Sequence, residues 1–166
     1  MNKNWYISRS KIHGRGVFAS RMFNRGETIF LIKGRPVHLN VHNHSKAKIG
    51  SRWIGVGKDA WVNPHIPANT INHSCEPNTG IKGRVHVVAL HTIRPNEEVT
   101  VDYSTTEIDK FWSMRCSCKA RRCRGTIQSI QFLPTRTIKR YLPFVNTLFK
   151  KIYAKTHLKL KVTMLK

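Results

Sequence analysis

No acidic residue stands beyond Asp109. Residues 110 to 166 carry fifteen Lys and Arg, while the chain up to Asp109 holds fifteen more together with all eight of its Asp and Glu. Solubility alone does not require charge of one sign segregated in this way. A formal net charge of +22 on 166 residues implies a polyanion nearby, most simply DNA, RNA or an assembly containing them. The last third of the chain supplies most of that excess.

Long apolar runs are also missing. Nothing approaches the roughly 18 consecutive apolar residues of a membrane span, and Met1 to Ser20 has no apolar stretch of the kind a secretion signal needs. These absences predict a cytosolic, nuclear, chromatin or nucleoid location and exclude a transmembrane or secreted class. Cysteine is limited to Cys75, Cys116, Cys118 and Cys123, and tyrosine to Tyr6, Tyr103, Tyr141 and Tyr153. Before the tail there is no apolar periodicity for a helix longer than a few turns.

What is present instead is a succession of short strands separated by Gly, Pro and Asn turns, which predicts a mostly β fold. The length suits one domain plus an appendage. Trp5 to Ser8 and Val17 to Ala19 read as strands around a turn at Gly14-Arg15-Gly16. Thr28 to Ile32 reads as a buried strand after the turn at Gly26-Glu27. Trp53 to Val56 and Ala60 to Val62 follow, then Arg84 to Leu90 and Glu98 to Asp102 about the turn at Arg94-Pro95-Asn96. Residues 34 to 52 offer little beyond Gly34, Pro36 and a polar cluster whose His42 and His44 suit either solvated loop residues or metal ligands. Trp53 and Trp61 suit the core.

The tail changes character. From Pro143 the apolar residues Phe144, Val145, Leu148, Phe149, Ile152 and Tyr153 recur at helical spacing, with Lys150, Lys151 and Lys155 between them, predicting a basic amphipathic helix of about three turns. Its apolar face could pack on the domain, bind a partner or lie on an anionic surface. Leu158 to Val162 alternates as a strand would.

The densest polar chemistry is Asn72-His73-Ser74-Cys75-Glu76-Pro77-Asn78. Alone it suits a turn, since Asn, Ser and Pro are turn formers, and Cys75 near His73 is weak evidence for a nucleophile and its base. Its setting is more specific. Upstream stand Ile12-His13-Gly14-Arg15-Gly16-Val17-Phe18 and Gly26-Glu27-Thr28-Ile29; downstream stand Glu97-Glu98-Val99-Thr100-Val101-Asp102-Tyr103 and Cys116-x-Cys118-x4-Cys123-Arg124-Gly125. In this order, over residues 5 to 128, these segments resemble the SET-domain protein lysine methyltransferases that carry a post-SET zinc element.

The resemblance implies a SET-domain fold of small curved sheets around a knot-like core in which the Asn72 and Tyr103 stretches meet. It implies a SET domain over 1–110, a post-SET element over 111–128 and a basic C-terminal extension over 129–166. The activity it implies is S-adenosyl-L-methionine-dependent lysine N-methylation of a histone or another nucleic-acid-associated protein, with nucleic acid or chromatin contacted through the extension. A SET-like module without turnover, holding chromatin through its charge, is the rival.

By the same resemblance, Tyr103 is the catalytic tyrosine and lies beside the transferring methyl. His13, Gly14 and Arg15 hold the methionine part of the cofactor through main-chain groups; Asn72 through its amide and His73 through its main chain bind it too. Cys75, Cys116, Cys118 and Cys123 form one four-thiolate zinc site, a set that suits a metal without d-electron geometry. Two disulfides are the alternative, disfavoured by a reducing compartment and by the Cys-x-Cys spacing. Val101, two residues before Tyr103, stands where relatives carry Phe or Tyr as a control on product, which implies di- or trimethylation. Asn69 and Thr70 depart from the Arg and aromatic common in relatives, and the mid-domain tyrosine that often contacts the cofactor has no counterpart. Adenine stacking is left to Phe111 or Trp112.

Overall fold

The computed structural model describes residues 4–38, 53–57 and 60–157. His42, His44 and the alternating 158 to 162 segment lie outside them.

Strands β1 (Trp5–Arg9) and β2 (Arg15–Ala19) form an antiparallel hairpin closed by Gly14 at φ +50°, a conformation glycine adopts at little cost. Gly16 lies in β2 itself, opposite Ser8, rather than in the turn. Strand β3 (Thr28–Leu31) follows Gly26, at φ +83°. Strand β4 (Gly34–His38) was not legible, because Gly and Pro weaken strand patterning. It is an edge strand, the place where Pro36 costs no ladder bond. With β5 (Ile54–Gly57) and β6 (Ala60–Pro64) it makes a three-stranded sheet ordered β4-β6-β5.

The larger sheet adds β7 (Asn72–His73), β8 (Thr79–Lys82), β9 (His86–Ala89) and β10 (Glu98–Val101), in the order β1-β2-β10-β8-β9-β3 with β7 also on β10. β10 is the meeting point. It runs antiparallel to β2, and parallel to β7 with Thr100 beside Asn72 and Val101 beside His73. Side chains such as Val17, Phe23, Ile29, Val87, Ile93 and Val99 fill the core beneath, each 2% exposed or less. Burial of each stabilises by about 1.5–3 kcal/mol. A short hairpin of β11 (Ser113–Arg115) and β12 (Thr126–Gln128) frames the last three cysteines.

The C-terminal part differs from the periodicity reading. Helix α1 (Thr135–Tyr141) precedes α2 (Thr147–Thr156), and Pro143 lies between them instead of opening a helix. Asn146 wins the N-cap of α2: its side-chain oxygen accepts the Leu148 N–H at 2.9 Å, and Pro143 has no such side chain to offer. The apolar face does pack. Ile130, Leu133, Ile138, Tyr141, Val145, Phe149 and Tyr153 form a second core. Ile81 N–H donates to Phe144 O at 2.9 Å, and Asn146 Nδ2 donates to Val56 O at 3.3 Å, joining this core to both sheets.

Candidate active site

A cleft of about 750 Å³ opens where β2, β7 and β10 converge. His13, Gly14 and Arg15 line one side, Asn72, Val101 and Tyr103 the floor, and Trp53, Thr106, Glu107 and Trp112 the rest. Volumes of about 300–1,000 Å³ are typical of ligand clefts.

Asn72 ties the segments together. Its Nδ2 lies 3.1 Å from His13 O, 3.1 Å from Arg15 O and 2.7 Å from Glu98 Oε1. The amide nitrogen is therefore engaged by the chain itself, and it fixes the turn whose backbone faces the cleft. Glu98 also accepts from Ser10 Oγ at 2.8 Å and 2.9 Å, which anchors the other end of that turn. Asn78 bridges in the same manner, accepting from Thr100 N–H at 2.8 Å and donating to Glu98 O at 2.8 Å.

Tyr103 begins a 3-10 turn, Tyr103–Thr106, directly after β10. Its hydroxyl donates to Ile71 O at 2.7 Å. Its ring lies 5.3 Å from that of His73. Val101 is buried at 4% exposure and still borders the cleft, which two indoles, Trp53 and Trp112, also line. Of the two candidates for stacking, Trp112 lines the cleft, whereas Phe111 is 79% exposed and stands outside it, with Lys110 Nζ 4.9 Å from its ring centroid.

The four cysteines are all free. Cys75 Sγ lies 3.7 Å from Cys116 Sγ. That is the edge of a tetrahedron whose metal–sulfur distance is about 2.3 Å, for which the expected separation is about 3.8 Å. Cys75 N–H donates to Cys118 Sγ at 3.4 Å, Arg124 N–H to Cys75 Sγ at 3.3 Å and Gly125 N–H to Cys123 Sγ at 3.5 Å. Cys123 interacts in turn with Cys116 and Cys118. Burial pushes the Cys75 thiol up to about 11. At Cys118 burial acts upward too, but the Cys75 and Ala120 backbone N–H groups together with the Cys116 and Cys123 side chains outweigh it and bring the thiol down to about 7. The donor set fits a thiophilic cation such as zinc.

The compact group of possible ligands differs from the four thiols read in the sequence: His73 lies with Cys75, Cys116 and Cys118, their ligand atoms within 4.8 Å of one another, and Cys123 is not in that group. Tyr103 N–H donates to His73 Nδ1 at 3.2 Å, so Nε2 carries the proton and faces Cys75 Sγ at 3.3 Å. The imidazole is thus a donor to sulfur, leaving the ligand role to the thiols. Burial pushes His73 down to about 4 against the charge of Asp102.

Asp102, Arg124 and Tyr141 also went unread in the sequence. Arg124 grips the fully buried Asp102 carboxylate with two bonds, Nη1 to Oδ2 at 2.6 Å and Nη2 to Oδ1 at 2.7 Å, and the Tyr141 hydroxyl donates to Oδ2 at 2.8 Å. An Asp at a strand end and a Tyr on a helix have no sequence spacing that announces such a pairing.

Residues 14–104 match the family model of the SET domain. The chain belongs to the SET-domain family. Histone-lysine N-methyltransferase 2B of Homo sapiens is 32% identical over 134 residues, covering 71% of this chain and 5% of that protein. Histone-lysine N-methyltransferase trithorax of Drosophila melanogaster is 31% identical over 133 residues, covering 71% and 4%. The SET-domain chain thus spans a small fraction of these curated relatives. Its fold is mostly β and like that of KRYPTONITE in crystal complex with mCHG DNA and SAH, at a TM-score of 0.60, 22% identity, 76% of this chain and 29% of that one. A second KRYPTONITE structure, with mCHH DNA, H3(1-15) peptide and SAH, gives a TM-score of 0.58 at 21% identity, over 76% and 30%.

Proposed function

We propose that the chain is an S-adenosyl-L-methionine-dependent protein lysine N-methyltransferase acting on a histone tail. The observation that carries this reading is the convergence of the His13–Arg15 turn, Asn72 and Tyr103 on one cleft. The cleft fits the cofactor. Gly14 has nothing within 4 Å of the place a Cβ would occupy, so a ligand can approach the backbone there. Bound in the cleft, the cofactor supplies a sulfonium methyl for in-line displacement.

The chain's own residues do the rest. His13, Gly14 and Arg15 present main-chain groups to the methionine part. Asn72 holds that turn in place, and the His73 main chain meets the adenine. The Tyr103 phenol, anchored by its bond to Ile71 O, aligns the amine with the methyl. Apolar walls such as Ile71, Ile81, Val87 and Val101 exclude water and favour the neutral amine. Cys75, Cys116, Cys118 and Cys123 would hold a zinc ion, and that ligation would tie the segment carrying Trp112 and Met114 beside the cleft.

The SET domain takes 1–110, the zinc element 111–128 and the basic extension 129–166. The extension exposes Arg136, Lys139, Arg140, Lys151 and Lys155, which meet nucleic acid in chromatin; a nuclear or nucleoid location accords with this. Val101 in place of an aromatic leaves room for di- or trimethyl-lysine. The relatives' names and the H3(1-15) peptide of the second KRYPTONITE complex support a histone substrate.

The test is incubation of the protein and its Tyr103→Phe variant with labelled cofactor, core histones and nucleosomes, followed by mass spectrometry. Transfer by the parent and at least a hundred-fold less by the variant, on the order of an acid–base or positioning contribution, supports the reading. Cofactor binding without transfer to any histone would establish the silent module instead.

A further inference from the structure

Asp102 stands between two cleft residues, Val101 and Tyr103, and its side chain has 0% exposure. A carboxylate has about four lone-pair sites, and here each oxygen takes two donors. Oδ1 receives Arg124 Nη2 at 2.7 Å and Ser104 N–H at 3.1 Å; Oδ2 receives Arg124 Nη1 at 2.6 Å and the Tyr141 hydroxyl at 2.8 Å. The donors come from three places: the cysteine-bearing segment, helix α1, and the turn that begins at Tyr103. The Tyr141 hydroxyl is also 3.3 Å from Cys75 O, within the Asn72 to Asn78 stretch.

We infer that Tyr141 and Arg124 are positioning residues: by filling the buried Asp102 carboxylate they fix the backbone at 102–104 and so the direction in which Val101 and Tyr103 enter the cleft. The role rests on the methyltransferase reading, and it makes the C-terminal extension part of the catalytic apparatus. The physical reason is the cost of a buried charge short of donors. If Tyr141 is removed, Asp102 regains a partner only by moving, and the Ser104 bond that caps the 3-10 turn moves with it.

Tyr141→Phe isolates the effect, because the ring still fills its place in the second core. Arg124→Lys is the second variant, keeping the charge but not the paired bonds. Tyr153→Phe is the control: it loses a hydroxyl in the same core, 3.1 Å from Thr135 Oγ1 and remote from Asp102. Two readouts are taken on the full chain, amide hydrogen exchange at 104–106 and steady-state kinetics on a histone peptide.

Tyr141→Phe and Arg124→Lys are expected to speed exchange at 104–106 and lower kcat about ten-fold, the loss of one hydrogen bond to a charged group, with KM for the cofactor nearly unchanged. Tyr153→Phe is expected to change neither. Wild-type exchange at 104–106 in Tyr141→Phe, or a kcat equal to that of Tyr153→Phe, overturns the inference. If the parent transfers no methyl at all, the methyltransferase reading falls and takes the catalytic part of the role with it; exchange then decides only whether Tyr141 fixes the backbone at 102–104, which retained protection overturns and lost protection upholds.

Discussion

Asn72 Nδ2 donates to Glu98 Oε1 at 2.7 Å, joining the seven-residue polar stretch to the strand that delivers Tyr103. The bond leaves no room beside it. A Cβ on Gly16 would collide with the Glu98 carboxylate oxygen, lie 2.8 Å from its Cδ and come within 3.2 Å of Asn72 Nδ2.

Gly16→Ala should therefore displace Glu98 and slacken the turn at His13 to Arg15. Overpacking of this kind costs about 1–3 kcal/mol. Isothermal titration with S-adenosylhomocysteine should show weaker binding, together with a lower melting temperature. Gly14→Ala, at φ +50° but in space open to the chain itself, carries only the local backbone strain and should lower the melting temperature less than Gly16→Ala, although its Cβ would enter the space the cofactor is proposed to take. Equal effects would mean that the carboxylate yields freely.

The thiol cluster predicts one zinc per chain. Change of Cys116, Cys118 or Cys123 to Ser, or exhaustive chelation, should remove the metal and lower both stability and transfer, since no fifth cysteine exists to substitute. Elemental analysis beside an activity assay is decisive: a metal-free protein with full activity would refute the site.

Much of this architecture was legible before any coordinates, and the reasons differ by element. Strands such as Thr28–Leu31 and Glu98–Val101 carry β-branched patterning bounded by turns. The pairing of Asn72–His73 with β10 is only two residues long, too short for periodicity, and only the family resemblance pointed to it. Helix α1 was hidden because Thr135–Tyr141 is seven residues with no side-chain cap. The pairing of Asp102 with Arg124 and Tyr141 was hidden for another reason: these partners lie 22 and 39 residues from Asp102, and no local pattern encodes that; His73 was read as a cofactor contact, but not as a neighbour of the thiols of Cys116 and Cys118.

The extension read from sequence as an appendage is wedged into the domain. A Cβ on Gly55 would lie 2.8 Å from Phe149 Cζ, and one on Gly80 would lie 2.9 Å from Phe144 Cβ. Deleting residues 134–166 strips a buried core and should unfold the chain or abolish transfer, so it cannot isolate nucleic-acid binding. Replacing the exposed Arg136, Lys139, Arg140, Lys151 and Lys155 by Gln is the cleaner cut. Affinity for duplex DNA should fall and its salt dependence flatten by up to about five counterions, while methylation of a short histone peptide stays close to that of the parent. A variant with unchanged DNA affinity would place the polyanion elsewhere.

The last prediction concerns how many methyl groups are added. Val101 is paired through its backbone with both His73 and Thr79, which fixes its place in the strand. It meets the cleft as a small apolar wall. A phenol at this position could hydrogen-bond the amine, or a water beside it, and restrict rotation once one methyl is present; valine offers neither donor nor bulk. Methylated amines need volume and an apolar surface, and a difference of a few carbon atoms in a pocket is worth about 1–3 kcal/mol of discrimination. Di- or trimethyl-lysine should therefore accumulate with the parent protein, and Val101→Tyr should shift the product towards monomethyl-lysine without loss of cofactor affinity. The competing possibility is that Trp53 or Trp112, which border the same cleft, fill the space that valine leaves. Product mass spectra over a long incubation with excess cofactor separate the two. A parent that stops at one methyl group, and gains a second only when Trp53 or Trp112 is cut back to Ala, would transfer control of the product from Val101 to the indole.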